Sequence, residues 1–338
     1  MIFQLLLIFI VYLVFKSQNI CESYKSIGNL YLINLKKKKK FVNTKLSLNQ
    51  TKLHNIHIIN INDILNNKIP ENKCTGLVSI IVPVYNASKT IYDTIGSLIN
   101  QTHRNIEIIV VDDNSTDDSL EKLQKIKDNR IKLYKNKVNY GTYKTINIGI
   151  KMSKGNYIIL QGSDDYACID RIKVLFDAIK NTNINMVYSN WIRGKKIKKT
   201  IEGNFMFKRH ILKKMGFFDN TRFGGDSEFI QRYKMIYKKL KYVDDVLNIA
   251  SIRNNSLTHT SNTYAADGIL AASRQAYKKS IKIYHKNINQ TKNYYMPFLH
   301  KKKIYNKYIL KKKLTKNSKS PVEHIKDLYI DDIAYKIE

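Results

Sequence analysis

The stretch IEIIVVDDNSTDDSL, residues 106–120, decides the fold. Ile106 to Val111 is a near-continuous apolar run of strand length, the pattern of a strand covered on both faces. It runs straight into polar residues, Asp112 to Asp117, that suit turns and helix caps, and then into an amphipathic segment from Ser119 to Lys127. Strand, polar turn, helix is the repeating unit of an α/β sheet.

The same rhythm extends in both directions. Val78 to Val84 reads as a second buried strand, followed by a helix over Ser88 to Asn100. Downstream, Ile131 to Tyr134, Tyr157 to Leu160 and Met186 to Asn190 read as strands, with helices over Thr142 to Met152 and Arg171 to Asn181. After a basic loop, Arg193 to Lys199, come a short strand at Phe205 to Phe207, helices at His210 to Met215 and Asp226 to Tyr237, and a closing strand at Tyr242 to Ile249. The pattern predicts an α/β domain over residues 77–260, with a mostly parallel central sheet flanked by helices. Residues 16–76, with Lys and Asn clusters and weak periodicity, read as a basic stalk or linker with one short helix near Ile59 to Leu65. Residues 261–338 read as a helical, basic C-terminal extension and tail.

Composition bears on partners. The 338 residues hold 59 Lys and Arg against 27 Asp and Glu, a net charge of +32, which points first to nucleic acid or an anionic membrane. Yet residues 77–260 carry 31 basic and 18 acidic side chains, and runs such as Lys36 to Lys40 lack Arg and interleaved aromatics. The surplus reads as a lysine-rich background, and no nucleic-acid partner is expected. Cys21, Cys74 and Cys168 have neither metal-ligand spacing nor an even count, which leaves a disulfide framework or zinc site unsupported.

Met1 to Phe15 is apolar except for Gln4 and would span about 22 Å as a helix, so it reads as an anchor or signal segment. With Lys16, Lys25 and Lys36 to Lys40 following, the expectation is membrane association through residues 1–15, with the downstream domain facing the cytoplasm and the secretory lumen as the alternative. Asn86-Ala-Ser and Asn114-Ser-Thr are glycosylation sequons in candidate site loops, where modification would obstruct the site.

In a parallel sheet, ligands gather beyond the carboxyl ends of the strands. Three polar clusters fall there: Pro83-Val-Tyr85-Asn86, Asp112 to Asp117, and Gln161-Gly-Ser-Asp164-Asp165. Asp164 and Asp165 can offer hard oxygens to Mg²⁺ or Mn²⁺ shared with a diphosphate, or form a capping turn. Asp112 and Asp113 suit a nucleobase N–H or ribose hydroxyl, and equally a helix entry. Asp226, after Gly224-Gly225, is either a general base at a helix start or an N-cap, while Glu228 and Arg232 at i,i+4 suit a surface ion pair. For Trp191, core, surface and substrate stacking are all open. Neither a dinucleotide-binding glycine fingerprint nor a phosphate-binding P-loop occurs.

Set in order, these clusters resemble a family 2 glycosyltransferase of the GT-A fold, a nucleotide-diphospho-sugar transferase. The resemblance rests on Val78 to Ala87, Ile108 to Asp117, Asn139-Tyr-Gly with Asn147-Ile-Gly149, Lys154 to Asp165, and Gly224 to Glu228. It implies that Pro83, Tyr85, Asn86, Asp113, Asn147 and Asp164 bind the donor, that Asp164 and Asp165 hold Mn²⁺ or Mg²⁺, and that Asp226 is the catalytic base. The implied reaction is inverting transfer from a nucleotide-diphosphate sugar, a UDP-sugar favoured, to a hydroxyl on a saccharide, lipid or protein. Arg253 to His259 resembles a segment near the donor phosphates. Two positions depart from the pattern: Gly162 stands where an acid is common, and Ile146 where a basic residue is, with Lys144 the nearest cation. The alternatives are a nucleotidyltransferase that makes nucleotide sugars and a non-catalytic basic module for nucleic acid or anionic membrane.

Overall fold

The computed structural model describes residues 57–59, 76–194, 196–221, 224–251 and 272–298. In chain order the elements are β1 (His57–Ile59), β2 (Val78–Val84), α1 (Ile91–Ile99), β3 (Ile106–Asp112), α2 (Ser119–Lys125), β4 (Ile131–Asn136), α3 (Thr142–Met152), β5 (Tyr157–Leu160), β6 (Tyr166–Ala167) and α4 (Arg171–Ile179). There follow β7 (Met186–Arg193), β8 (Lys196–Lys198), β9 (Phe205–Lys208), a 3₁₀ turn (Arg209–Ile211), α5 (Leu212–Met215), α6 (Gly225–Tyr237), β10 (Lys241–Ala250) and α7 (Ala272–Thr291).

The strands form one sheet in the order β1-β4-β3-β2-β5-β9-β7-β10-β6, with β8 paired outside it to β7. Neighbours from β1 to β5 are parallel, as are β7 and β10, but β9 runs antiparallel to both β5 and β7, and β6 antiparallel to β10. The sheet is therefore mixed rather than mostly parallel. Because β9 reverses against both neighbours, β5 and β7 still point the same way. The carboxyl ends of β2, β3, β5, β7 and β10 consequently share one edge.

The sheet is covered on both faces. Ile91, Ile95 and Leu98 recur along one side of α1 and join β2, β3 and α4 in one apolar layer; α3, α5 and α6 close the other. Helix α3 lies close enough that a Cβ on Gly149 would sit 2.6 Å from Ile81 Cγ2, which accounts for the glycine. At the opposite edge, Glu107 accepts hydrogen bonds from Ser79 Oγ, Lys154 N and Gly155 N, and a Cβ on Gly155 would meet Leu77 O at 2.7 Å. Part of the Lys154 to Asp165 pattern is thus packing.

Three expectations change. Residues 57–59 of the supposed linker add an edge strand to β4. The basic loop at Arg193 to Lys199 is a hairpin, since β7 runs through Arg193 and β8 pairs back along it. Membrane attachment, and the cytoplasm-facing placement built on it, is not upheld: no helix among the described residues is long and apolar enough to cross a membrane. Residues 1–15, most of the helix expected near Ile59 to Leu65, Arg253 to His259 and the tail beyond Phe298 lie outside the described residues.

Candidate active site

The turn after β5 carries the acidic pair. Thr90 and Thr94, one turn apart, donate their hydroxyls to Ser163 O at 2.9 and 3.0 Å, and Thr94 also to Asp165 O at 2.9 Å. Helix α1 thereby holds the backbone of the turn. The side chain of Asp165 accepts from Ser251 N at 3.3 Å and from Asn248 Nδ2 at 3.5 Å, at the end of β10. Beneath it, fully buried Arg171 donates to Gln161 Oε1, Leu160 O and Asn204 Oδ1. Burial first, and then the Asp164 charge, push the Asp165 carboxyl up to about 6 despite the attraction of Arg171.

Gly162 explains its own departure from the family pattern. A Cβ there would lie 2.8 Å from Asp165 Oδ2 and 3.2 Å from Asp164 Oδ1, so both carboxylates fold over this residue. Two carboxylates, one raised by burial and by the charge of the other, form the donor set with which a small divalent ion binds when a substrate diphosphate supplies other oxygens. The residues fit such an ion. Among the described residues no cluster of three or more His, Cys, Asp or Glu could hold a metal unaided. Gly162→Ala should raise the Mn²⁺ concentration needed for half-maximal binding by about tenfold, read by calorimetry, because one carboxylate must swing away; an unchanged affinity would refute the crowding argument.

The loops after β2 and β3 clasp one another. Asn86, at φ 48°, receives Thr116 N on Oδ1 at 2.8 Å and donates Nδ2 to Thr116 Oγ1 at 3.2 Å, while its N–H reaches Ser115 Oγ. Its amide, expected on the donor, is engaged by the neighbouring loop. Asp113 is buried and accepts from Asn136 Nδ2, Tyr140 N and Gly141 N at 2.7–2.8 Å; burial raises its carboxyl, with these bonds opposing. Asp112 is fully buried, with Oδ2 accepting Ser115 N at 3.1 Å and Oδ1 lacking a hydrogen-bond partner; burial raises it too. Tyr85 stands half-exposed at the rim and Pro83 lies within β2. Lys144, beside Asp113, is buried over the Tyr140 ring, 4.3 Å from its centroid, and burial depresses its ammonium to about 8.

Asp226 opens α6. Gly224 enters the helix at φ 78°, and a Cβ on Gly225 would lie 2.7 Å from the Tyr143 ring, which abuts the Gly141 turn bound to Asp113. Contacts thus bring the start of α6 to the same sheet edge. Asn147, expected on the donor, instead braces the approach to α6: Nδ2 donates to Phe218 O and Asn220 Oδ1, and Oδ1 accepts Phe218 N.

The Glu228–Arg232 pair is fully buried, not a surface pair. Arg232 grips both Glu228 oxygens and donates to Met215 O, Phe217 O and Tyr294 O. His285 of α7 lies 3.1 Å from Glu228 Oε1 and 3.2 Å from Gln231 Oε1. Burial alone would raise the Glu228 carboxyl, but Arg232 and His285 draw it down to about 2. Tyr277 OH donates to Asp219 Oδ2 at 2.8 Å, and its ring abuts Gly224. Sequence reasoning missed Thr94, Asn248, Ser251 and Arg171. Only the i,i+4 spacing of Thr90 and Thr94 on a helix facing the acidic turn offered a signal.

Residues 79–241 match the family described as Glycosyl transferase family 2. Over 115 residues the chain is 42% identical to the Escherichia coli UDP-Glc:alpha-D-GlcNAc-diphosphoundecaprenol beta-1,3-glucosyltransferase WfaP, covering 34% of this chain and 46% of that protein. It is 36% identical over 115 residues to WfgD, also from Escherichia coli and described by the same activity, with the same coverage of 34% and 46%. The chain thus spans about half the length of these curated relatives. The crystal structure of S. aureus TarS 1-349 in complex with UDP-GlcNAc aligns with a TM-score of 0.52 at 19% identity, covering 61% of this chain and 66% of that one, which shows a shared fold. With the ordered motifs, the mixed sheet and these matches in agreement, residues 79–241 form a glycosyl transferase family 2 domain with a GT-A fold.

Proposed function

We propose that this glycosyltransferase moves a sugar from a nucleotide-diphosphate sugar, a UDP-sugar favoured, to an acceptor hydroxyl with inversion. The observation that carries the reading is the crowding of the Asp164 and Asp165 carboxylates over Gly162 at the edge where β2, β3 and β10 end. Both Escherichia coli relatives carry UDP-Glc in their names, which supports the donor class.

Asp164 and Asp165 would hold Mn²⁺ or Mg²⁺, which when bound supplies positive charge to the donor diphosphate. The clasped loops after β2 and β3 frame the base and ribose, with Pro83, Tyr85 and Asn86 on one side and Asp113 on the other. Asp113 is bonded to the Gly141 turn, so its contribution is to fix the floor of that pocket as much as to touch the nucleotide. Asn147 acts at one remove, by bracing residues 218–220 ahead of α6.

Asp226 accepts the proton of the acceptor hydroxyl as that oxygen bonds to the anomeric carbon. The bond from that carbon to the diphosphate oxygen breaks on the opposite face, and the nucleoside diphosphate departs with the electron pair. A base so placed contributes roughly 10²–10⁴ in rate. With UDP-glucose and Mn²⁺, Asp226→Asn should therefore lower kcat for sugar transfer at least a hundredfold while leaving UDP affinity within about twofold. Turnover equal to the parent, or UDP affinity lost together with turnover, would remove Asp226 from the role of base.

A further inference from the structure

The approach to Asp226 is held from two sides. On one, Asn147 of α3 binds Phe218 and Asn220, and the Tyr143 ring of the same helix fills the space that a side chain on Gly225 would need. On the other stands α7, which begins at Ala272, beyond the residues 79–241 that match the family.

Helix α7 reaches this approach through Tyr277, which is almost fully buried. The Tyr277 hydroxyl donates to Asp219 Oδ2 at 2.8 Å, and the ring lies where a Cβ on Gly224 would come within 3.2 Å of Cε1. One side chain thus touches the chain twice, at Asp219 and again at Gly224, just before it turns into the helix that bears Asp226. Gly224 enters α6 at φ 78°, in the left-handed region that favours glycine, and carries no side chain with which to fix itself. The ring supplies that contact from outside.

The support behind the ring is firm. Ile281, Tyr284 and Ile288 follow Tyr277 at helical spacing, and their buried layer packs with Met235 and Ile236 of α6, while His285 lies 3.1 Å from Glu228 Oε1. The backbone that carries Tyr277 is therefore anchored to the same helix whose start the ring touches.

We infer that Tyr277 is a positioning residue for proton transfer: it fixes where the first turn of α6 begins, and hence where the Asp226 carboxylate stands. This rests on the reading of Asp226 as the base and deepens it by naming what holds that base. Tyr277 itself touches no substrate in this role. A base displaced by about 1 Å can lose up to about a hundredfold in rate while donor binding is unaffected.

Tyr277→Phe removes the hydroxyl and keeps the ring. Its effect is read in the full chain from UDP release out of UDP-glucose with Mn²⁺, water standing in for the acceptor. Tyr277→Phe should lower kcat about tenfold and leave KM for UDP-glucose within about twofold. Placed in an Asp226→Asn background, the same change should alter kcat by less than about twofold, because a residue that acts through the base has nothing left to place. Two amides report the holding without turnover: Thr221 N–H, bonded to Asp219 O, and Glu228 N–H, bonded to Gly224 O. Both should exchange with deuterium at least about fivefold faster in Tyr277→Phe, with the amides of β3 unchanged. Parent-like kcat in Tyr277→Phe, a full repeat of its loss in the Asp226→Asn background, or exchange that is unchanged or equally faster in β3 would each overturn the inference. Parent-like turnover in Asp226→Asn would remove the base, and the inference with it. A parent that releases no UDP counts against the sugar-transfer reading, whereas the two amides still score the hold of Tyr277 on the approach.

Discussion

Asp165→Asn should make the metal-free protein more stable at pH 7.5 and nearly inactive. Burial and the Asp164 charge raise the Asp165 carboxyl to about 6, above its ordinary 3.8. Between about pH 4 and pH 6 the folded chain therefore binds more protons than the unfolded one, so stability falls as pH rises through this window. Above about pH 6 the cost is complete, on the order of 2–3 kcal/mol. Asn carries no charge to bury, so its gain should be absent below pH 4 and full above pH 6. Thermal unfolding in chelator at pH 4 and pH 7.5 reads this directly, with an expected rise of about 5 °C at the higher pH alone. Mn²⁺ should stabilise the parent and leave Asp165→Asn unmoved, and turnover of UDP-glucose should fall about a thousandfold or more. A variant less stable than the parent at pH 7.5 would show that the carboxylate is held for structure.

Arg232→Met should cost about 3–5 kcal/mol, the usual penalty for removing one partner of a buried ion pair. The loss has two parts. Glu228 is left charged and fully enclosed, with His285 as its remaining partner, and the carbonyl of Phe217 loses the Arg232 donor while that of Met215 keeps Met296 N–H. The double change Arg232→Met with Glu228→Gln should recover part of the loss, because no charge then stays buried. Denaturant unfolding of the four proteins in this cycle gives the coupling, expected above about 1 kcal/mol and unfavourable to the single change. Additive effects would mean that the pair acts as two independent side chains.

The strands were legible because buried parallel strands write themselves as apolar runs. The strands Val78 to Val84 and Tyr157 to Leu160 hold to the residue, as does the helix Thr142 to Met152. The inversion of β9 was not legible, since Phe205 to Lys208 has the same composition whichever way it runs; its direction follows from the path of the chain around it. At the site, the acidic residues announced themselves at strand ends, but what they touch did not. Asn86 bonds thirty positions away and Asn147 more than seventy, so their partners are set by tertiary packing. Glu228 and Arg232 show the same limit in another form: i,i+4 spacing reads alike on a surface and in a core, and α7 decides which it is.

The grip of Arg232 on Tyr294 O and the pairing of Gly216 with Met296 also set an order of events during synthesis. A Cβ on residue 216 would collide with Met296 O, so that late segment lies directly on the glycine. Strands β2 to β5 can pair as soon as they leave the ribosome, but the helix bearing Asp226 cannot be locked until some sixty further residues have been made. The setting of Asp226 is therefore fixed only after the sheet, and a chain arrested soon after β10 would have its strands without the contacts that lock α6.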